Sequence, residues 1–325
     1  MTKYKKFWGI FFSILFLWLA LRKIDFYAIP QHLEKVNPLF LGLMLISYTL
    51  EHVTRTLRWQ YLLPDKKFRF KDSYCGIVLG FFFNNILPAR AGEFYRAYYL
   101  SKKNIANSGE AFGSIVIERF LDGIMLITLI FISLNRFSSH ELLRKAQTAC
   151  TSFYSLVLIA LLFLIFKRDW FVKAAQWCFS FLPAKISSFL DNMLNKFIDG
   201  ISTIKKPVTF FKVLIISIIA WITSILTLWL CLKAFGFEEN VITASFMLTV
   251  LTISSMVPAS PGQIGVYEFF AIFLMKDVLG YSGEQGAAFA FVIHGFQYIY
   301  VLIAGAVILF AFNDTPKLEN STDQT

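Results

Sequence analysis

Charge is scarce in this sequence. Asp, Glu, Lys and Arg make up 16% of 325 residues, against 57% hydrophobic and 18% aromatic, too little polar surface to clothe a soluble domain of that size. The shortage excludes an ordinary globular protein in water and points to a bilayer. Cysteine is scarce as well: Cys75, Cys150, Cys178 and Cys231 show no CxxC spacing and mostly sit in apolar or interfacial stretches, where a thiol behaves as a small hydrophobe. Neither a disulfide nor a metal site is expected. The motifs of catalysis are missing too, with no HExxH, no Walker A run, no GxSxG and no aspartate-rich metal motif, and no extramembrane stretch is long enough for a catalytic domain. The expectation is a protein without cofactor or catalytic residue, and not an ATP-driven pump. Its net charge of +10 does not imply nucleic acid, because the basic residues flank hydrophobic runs and form no DNA- or RNA-binding motif. Membrane topology and anionic lipid headgroups explain them better.

What the chain does have is long apolar runs. Six, near 6–22, 38–54, 112–135, 149–166, 209–232 and 287–311, suit a hydrocarbon core of about 30 Å, which takes about 20 residues or somewhat fewer with snorkelling flanks. The first follows Lys3, Lys5 and Lys6 as a signal peptide would, but Arg22 and Lys23 stand where a small-x-small cleavage site belongs, which favours a retained helix. Two further stretches, 73–100 and 244–276, are each interrupted by the same run: Pro88-Ala89-Arg90-Ala91-Gly92-Glu93 and Pro258-Ala259-Ser260-Pro261-Gly262-Gln263, both of the form Pro-Ala-x-x-Gly-(Glu/Gln). Each half is too short to cross comfortably, so each stretch reads as a re-entrant helical hairpin, or else as a pair of short tilted spans.

Span, span, hairpin, span thus occurs twice, over about 1–140 and about 141–311. Three full crossings per repeat invert the second relative to the first, the plan of many secondary transporters, with substrate held where the broken helices meet. The fold class expected is an all-α polytopic membrane protein, with about six transmembrane helices and two re-entrant hairpins in an inverted repeat, or eight spans if the hairpins cross. Residues 1–311 form a single membrane domain and 312–325 a flexible cytoplasmic tail. Lys and Arg mark the cytoplasmic side: placing the N-terminus inside puts 21 of the 31 basic residues there, Arg55, Arg58 and Arg96 among them. Both termini are therefore expected in the cytoplasm. Before and after Pro183, Trp170, Ala174, Trp177 and Phe181, then Ile186, Phe189, Leu190, Met193, Phe197 and Ile201, recur at helical spacing. They read as interfacial amphipathic helices or as a linker packed on the bundle.

An Arg inside a membrane segment costs about 2.5–3.5 kcal/mol on insertion scales and calls for a partner or a purpose. Arg90 and Glu93 are the leading candidates, with Asn84, Asn85, Gly92 and Arg96 around them. A helix restarting after Gly92 would turn free N–H groups toward the break, and Arg90 would add a bidentate donor for a lipid phosphate. The plainer reading is an Arg90–Glu93 ion pair that pins the tip. On the second run Ser260, Gly262, Gly265 and Glu268 supply amides, a hydroxyl and flexibility around a headgroup, or simply a turn that lets helices approach. Secondary candidates are Glu118, Arg119 and Asp122, as a proton relay or a snorkelling network, and Arg55 and Arg58, as guides for headgroups entering from the inner leaflet. His294 ranks below these, a lone intramembrane His being more often a packing residue.

Four ordered motifs, Arg58-Trp59-x-x-Leu62-Leu63, Asn84-x-x-x-Pro88-x-Arg90-x-Gly92-Glu93-x-x-Arg96, Glu118-Arg119-x-x-Asp122 and Ser260-Pro261-Gly262-x-x-Gly265-x-x-Glu268, resemble the flippase-like membrane family typified by the transmembrane region of lysylphosphatidylglycerol synthase. The resemblance covers nearly the whole chain. It implies a bacterial or archaeal inner-membrane protein that moves a lipid between leaflets, with Arg90 and Glu93 matching the family's charged hairpin. Synthase members carry an additional soluble transferase domain; these 325 residues hold none, so lysyl transfer is not carried over. The family often has two glycines after Ser-Pro, where this chain has Gly262-Gln263, a departure that bears on substrate identity. The expected function is a flippase-like transporter of an anionic glycerophospholipid or polyprenyl-phosphate-type lipid. The alternatives are a membrane-embedded lipid-modifying enzyme, with Glu93 as acid or base, and an accessory subunit of an envelope-lipid or glycan pathway, which would make an envelope-biosynthesis enzyme a partner.

Overall fold

A computed structural model supplies the tertiary structure. It describes residues 13–22, 24–63, 69–87, 91–137, 168–183, 207–255 and 260–311, with isolated positions between 145 and 194. Several expectations fall outside these residues: the start of the first span, Arg90, Pro258 and Ala259, the span near 149–166, most of the amphipathic stretch 186–202, and the tail.

The described residues are helical, without a strand among them. In chain order the helices are α1 (13–21), α2 (Ile29–Leu33), α3 (Pro38–Leu62), α4 (Phe70–Ile86), α5 (Gly92–Lys102), α6 (Ser108–Phe137), α7 (Arg168–Phe179), α8 (Pro207–Ala234), α9 (Val241–Ser254), α10 (Val266–Phe273) and α11 (Gly283–Ala311). A 3-10 turn, Pro261–Gln263, precedes α10, and a π turn, Leu274–Val278, follows it.

Their ends follow local chemistry. Asn37 caps α3 by accepting the Leu39 N–H at 2.9 Å, and Pro38 opens the helix with its φ already set. Proline also ends helices: Leu63 precedes Pro64 and Leu87 precedes Pro88, and both sit in extended backbone, the conformation a following proline imposes. Reciprocal capping boxes open α6, through Asn107 and Glu110, and α11, through Ser282 and Gln285.

The two halves repeat one packing scheme. In the first, α3 packs on α4, α4 on α5 and α5 on α6; in the second, α8 packs on α9, α9 on α10 and α10 on α11. Across the halves α4 packs on α11 and α9 on α6, while α3 lies along α8. The direction of that last pair is fixed by its hydrogen bonds. Asn37 N–H donates to the Ala234 carbonyl at 2.8 Å, Ser47 Oγ to the Thr223 carbonyl at 2.9 Å, and Arg58 Nη1 reaches Ser217 Oγ at 3.5 Å. Numbers rise along α3 as they fall along α8, so these two helices are antiparallel. Both interrupted stretches break within their Pro-Ala-x-x-Gly runs, between α4 and α5 and between α9 and α10.

Apolar stripes at helical spacing face outward: Leu39, Leu43, Ile46, Leu50 and Leu57 on α3, Phe211, Ile215, Ile218 and Ile222 on α8, and Ile299, Ile303, Val307 and Phe310 on α11. Contiguous apolar surface of this extent suits hydrocarbon rather than water. Two described helices, Val208–Ala234 and Gly283–Phe310, are long and apolar enough by composition to cross a membrane. The helices found at the expected spans 38–54 and 112–135 are long but carry Glu51, Arg55 and Arg58, and Glu118, Arg119 and Asp122. Except for the exposed Arg119 those charges turn inward, and Arg55, Arg58 and Arg96, counted above among the cytoplasmic basic residues, lie on helices with their side chains largely buried in the protein. On α7, Trp170 and Trp177 are exposed, and Trp177 meets Phe181 edge-on at 5.0 Å.

Candidate functional site

The first tip is built by a close crossing. A Cβ on Gly92 would collide with the Gly80 carbonyl oxygen, so only glycine lets α5 start that near α4. Asn84, in the last turn of α4, accepts the Gly92 N–H at 2.8 Å and so caps the opposing helix across the break. Glu93 then falls in the first turn of α5, as the sequence implies.

Behind this tip lies a cluster of three arginines and three carboxylates. Arg58 of α3 donates from Nη1 to Asp122 at 2.6 Å and lies 3.1 Å from Glu118, one turn away on α6. Arg96 of α5 donates to Glu118 at 2.8 Å and to Glu93 at 3.2 Å, its guanidinium 4.3 Å from the centre of the Trp59 ring. Arg119 bonds Glu118 at 2.5 Å and Asp122 at 3.2 Å and reaches Glu93 at 4.0 Å. Trp59 donates to Ser114 at 2.9 Å, and Trp221 of α8 donates to Asp122 at 3.1 Å. Four helices from both halves thus meet on one charge-balanced core. Arg58 and Glu118 are sealed at 0% and 1% side-chain exposure, whereas Arg119 at 40% and Glu93 at 21% form its open edge. Arg55 stands apart, bonded to Glu51 at 2.9 Å within α3. Neither Arg55 nor Arg58 lies at a surface where it would guide headgroups, because each is drawn inward by its carboxylate. Glu118 and Asp122 are themselves held in ion pairs with Arg58, Arg96 and Arg119, of which Arg119 is the exposed member.

The second tip is held by backbone atoms. Ser260 N–H donates to Ser13 Oγ at 2.7 Å, and Gly265 N–H donates to Glu268 at 2.6 Å, capping α10. The second oxygen of Glu268 meets His294 Nδ1 at 2.5 Å, and His294 Nε2 lies 3.0 Å from the Gly262 carbonyl. Tyr267 stacks on the imidazole at 4.3 Å. The two tips adjoin: α4 packs on the Pro261–Gln263 turn, and Tyr298 of α11 donates to the Asn85 carbonyl at 3.3 Å while its ring covers Gly262.

The sequence candidates therefore gather in two groups. Asn84, Gly92, Glu93 and Arg96 join Arg58, Glu118, Arg119 and Asp122; Ser260, Gly262, Gly265 and Glu268 form the second, with Asn85 between. His294, Trp59, Trp221 and Tyr298 complete these groups and were not singled out as sites by sequence. For His294 there was a signal: a hairpin acid, Glu268, with no cation in its own run. Among the described residues no group of three or more His, Cys, Asp or Glu side chains is placed to hold a metal ion.

Gly262 offers a test of this tip. Its φ is +68°, and a Cβ there would strike the Tyr298 ring. Gly262→Ala is expected to destabilise the protein by about 1–3 kcal/mol, read as a lowered thermal midpoint in detergent, and Tyr298→Ala should remove the steric part of that loss.

The model of the lysylphosphatidylglycerol synthase TM region matches residues 6–305. A UPF0104 membrane protein of Methanocaldococcus jannaschii is 26% identical over 78% of this chain and 79% of its own length. A second from the same organism is 25% identical over 70% of this chain and 93% of its own. The glycosyltransferase AglD of Haloferax volcanii is 20% identical over 94% of this chain but only 54% of its own length. No solved structure matches.

Proposed function

The chain belongs to the family of the lysylphosphatidylglycerol synthase TM region, and from that premise we propose that it is a carrier, not an enzyme, moving an anionic lipid between leaflets of the bacterial inner membrane. The lipid is a glycerophospholipid or a polyprenyl phosphate. In this reading α4–α5 and α9–α10 are re-entrant hairpins that dip in from opposite sides, α3 and α8 are equivalent spans of an inverted repeat, and both termini face the cytoplasm. The observation that carries it is the meeting of two broken hairpins beside a buried, charge-balanced cluster, in a protein whose outer helical faces are apolar. The headgroup phosphate sits at the first tip. Arg90, in the segment joining α4 to α5, supplies the cation, the α5 N-terminus adds its dipole, and Arg119 and Glu93 form the polar edge of the cluster beside it. Arg58 and Arg96 hold the cluster and do not bind lipid, since Glu118 and Asp122 already occupy them.

Reconstitution tests this directly. Purified protein in liposomes is expected to move fluorescent phospholipids or a polyprenyl phosphate from inner to outer leaflet, with Arg90→Ala abolishing movement and Glu93→Gln slowing it. Equal movement in all three proteins would end the anion-site mechanism. No movement with any lipid would favour an accessory role in a membrane lipid or glycan pathway, the setting in which a glycosyltransferase relative carries a similar region.

A further inference from the structure

We infer that Glu268, His294 and the Gly262 carbonyl form a proton-binding latch on the second tip, and that release of one proton opens it. The inference rests on the carrier reading and assigns its coupling ion. Both imidazole nitrogens face acceptors, Nδ1 the Glu268 carboxylate at 2.5 Å and Nε2 the Gly262 carbonyl at 3.0 Å. Two bonds of this kind need two protons: one on Nε2, donated to the carbonyl, and one between Nδ1 and the carboxylate, on whichever of the two it resides. Take one away and a lone pair must face an acceptor. Either Nδ1 then opposes the carboxylate, or Nε2 opposes the Gly262 oxygen, so one of the two bonds is lost. The Gly262 bond ties the turn to α11 and the Glu268 bond ties α10, which follows the turn, to the same helix; the turn itself packs on α4 of the other tip, under the Tyr298 ring. The closed tip therefore binds a proton that the open tip gives up to water.

The surroundings leave this role to no neighbour. In the first cluster Glu93, Glu118 and Asp122 face Arg58, Arg96 and Arg119, which stay charged at any working pH, so a proton there would strand a cation. Around His294 the titratable groups are Tyr267, stacked on it, and Tyr298, edge-on at 6.2 Å. Glu51 and Cys231 lie within electrostatic reach of Tyr267, as Tyr267 does of Tyr48. Glu51 is matched by Arg55 at 2.9 Å. Among the described residues, Glu268 and His294 are the acid–base pair that no arginine matches.

The test uses the full-length protein in liposomes, its four cysteines replaced and Ser260→Cys introduced as a reporter at the tip. Maleimide labelling is followed from about pH 5.5 to about pH 8.5 and normalised to Tyr27→Cys, at a position 93% exposed, which removes the thiol's own titration. The normalised rate should rise with pH, by about tenfold per unit at its steepest, the limit for one proton. His294→Gln and Glu268→Gln should label at one rate throughout. A flat profile in the reporter protein, or an unchanged profile in His294→Gln, overturns the latch. Lipid movement measured in the same vesicles separates the two ideas: a titrating tip without lipid movement keeps the latch and removes the carrier, and lipid movement with a flat profile does the reverse.

Discussion

Replacing Glu118 by Gln is expected to destabilise the protein by about 3–5 kcal/mol, more than any other single polar substitution in the core. The amide keeps the shape of the side chain but leaves Arg58, Arg96 and Arg119, which all lie within 3.1 Å of its oxygens, one negative charge short in a site sealed from water. A guanidinium cannot shed its proton to adjust. Parity is the point of the prediction. Glu118→Gln combined with Arg119→Gln should recover a substantial part of the loss, because Arg119 is the half-exposed member and its removal restores neutrality. Glu34→Gln, on an exposed residue, should stay within about 0.5 kcal/mol of wild type. Thermal midpoints in detergent decide the matter: a double variant no more stable than the single would show that shape, not charge balance, holds the four helices together.

Gly92→Ala and Gly42→Ala should have opposite signs, although both add one methyl to a helix. At Gly92 the new Cβ meets the Gly80 carbonyl oxygen and the Asn84 side chain, backbone on one side and the α5 cap on the other. Neither can yield without parting α4 from α5, so a loss of about 1–3 kcal/mol is expected, together with slower lipid movement in liposomes as the tip shifts. At Gly42 nothing lies within 4 Å, and alanine should be neutral or stabilise by up to about 1 kcal/mol through the lower entropy of the unfolded chain. If Gly92→Ala left both the midpoint and the lipid movement unchanged, the close crossing would not be what positions the tip.

Much of the helical plan was legible before any coordinates. The apolar runs at 209–232 and 287–311 became α8 and α11 with ends moved by only a few residues, whereas the run at 38–54 became the longer α3, which continues to Leu62 before Pro64. The twin Pro-Ala-x-x-Gly runs marked both breaks. Less legible were partners. Arg58 and Arg96 read as interfacial because they sit near the ends of apolar runs, and a one-dimensional count of basic residues cannot tell a loop from a helix face turned inward. Arg96 stood among the substrate candidates around Arg90 and Glu93, yet Glu118, 22 positions away, takes its charge. His294 looked like packing because its carboxylate stands 26 positions earlier, on another helix.

The sequence by itself determined that this is a membrane protein, helical, broken twice at matched positions, and of the lysylphosphatidylglycerol synthase TM family, because composition, proline and glycine act locally and hydrocarbon leaves a backbone few alternatives to helix. Only the tertiary structure decided which charges neutralise one another, that α3 and α8 run antiparallel, and that the two tips adjoin through Tyr298 and Gly262. Those outcomes depend on side chains far apart in the chain. A buried charge is tolerated only beside its counter-charge, and where that counter-charge stands is a property of packing rather than of spacing.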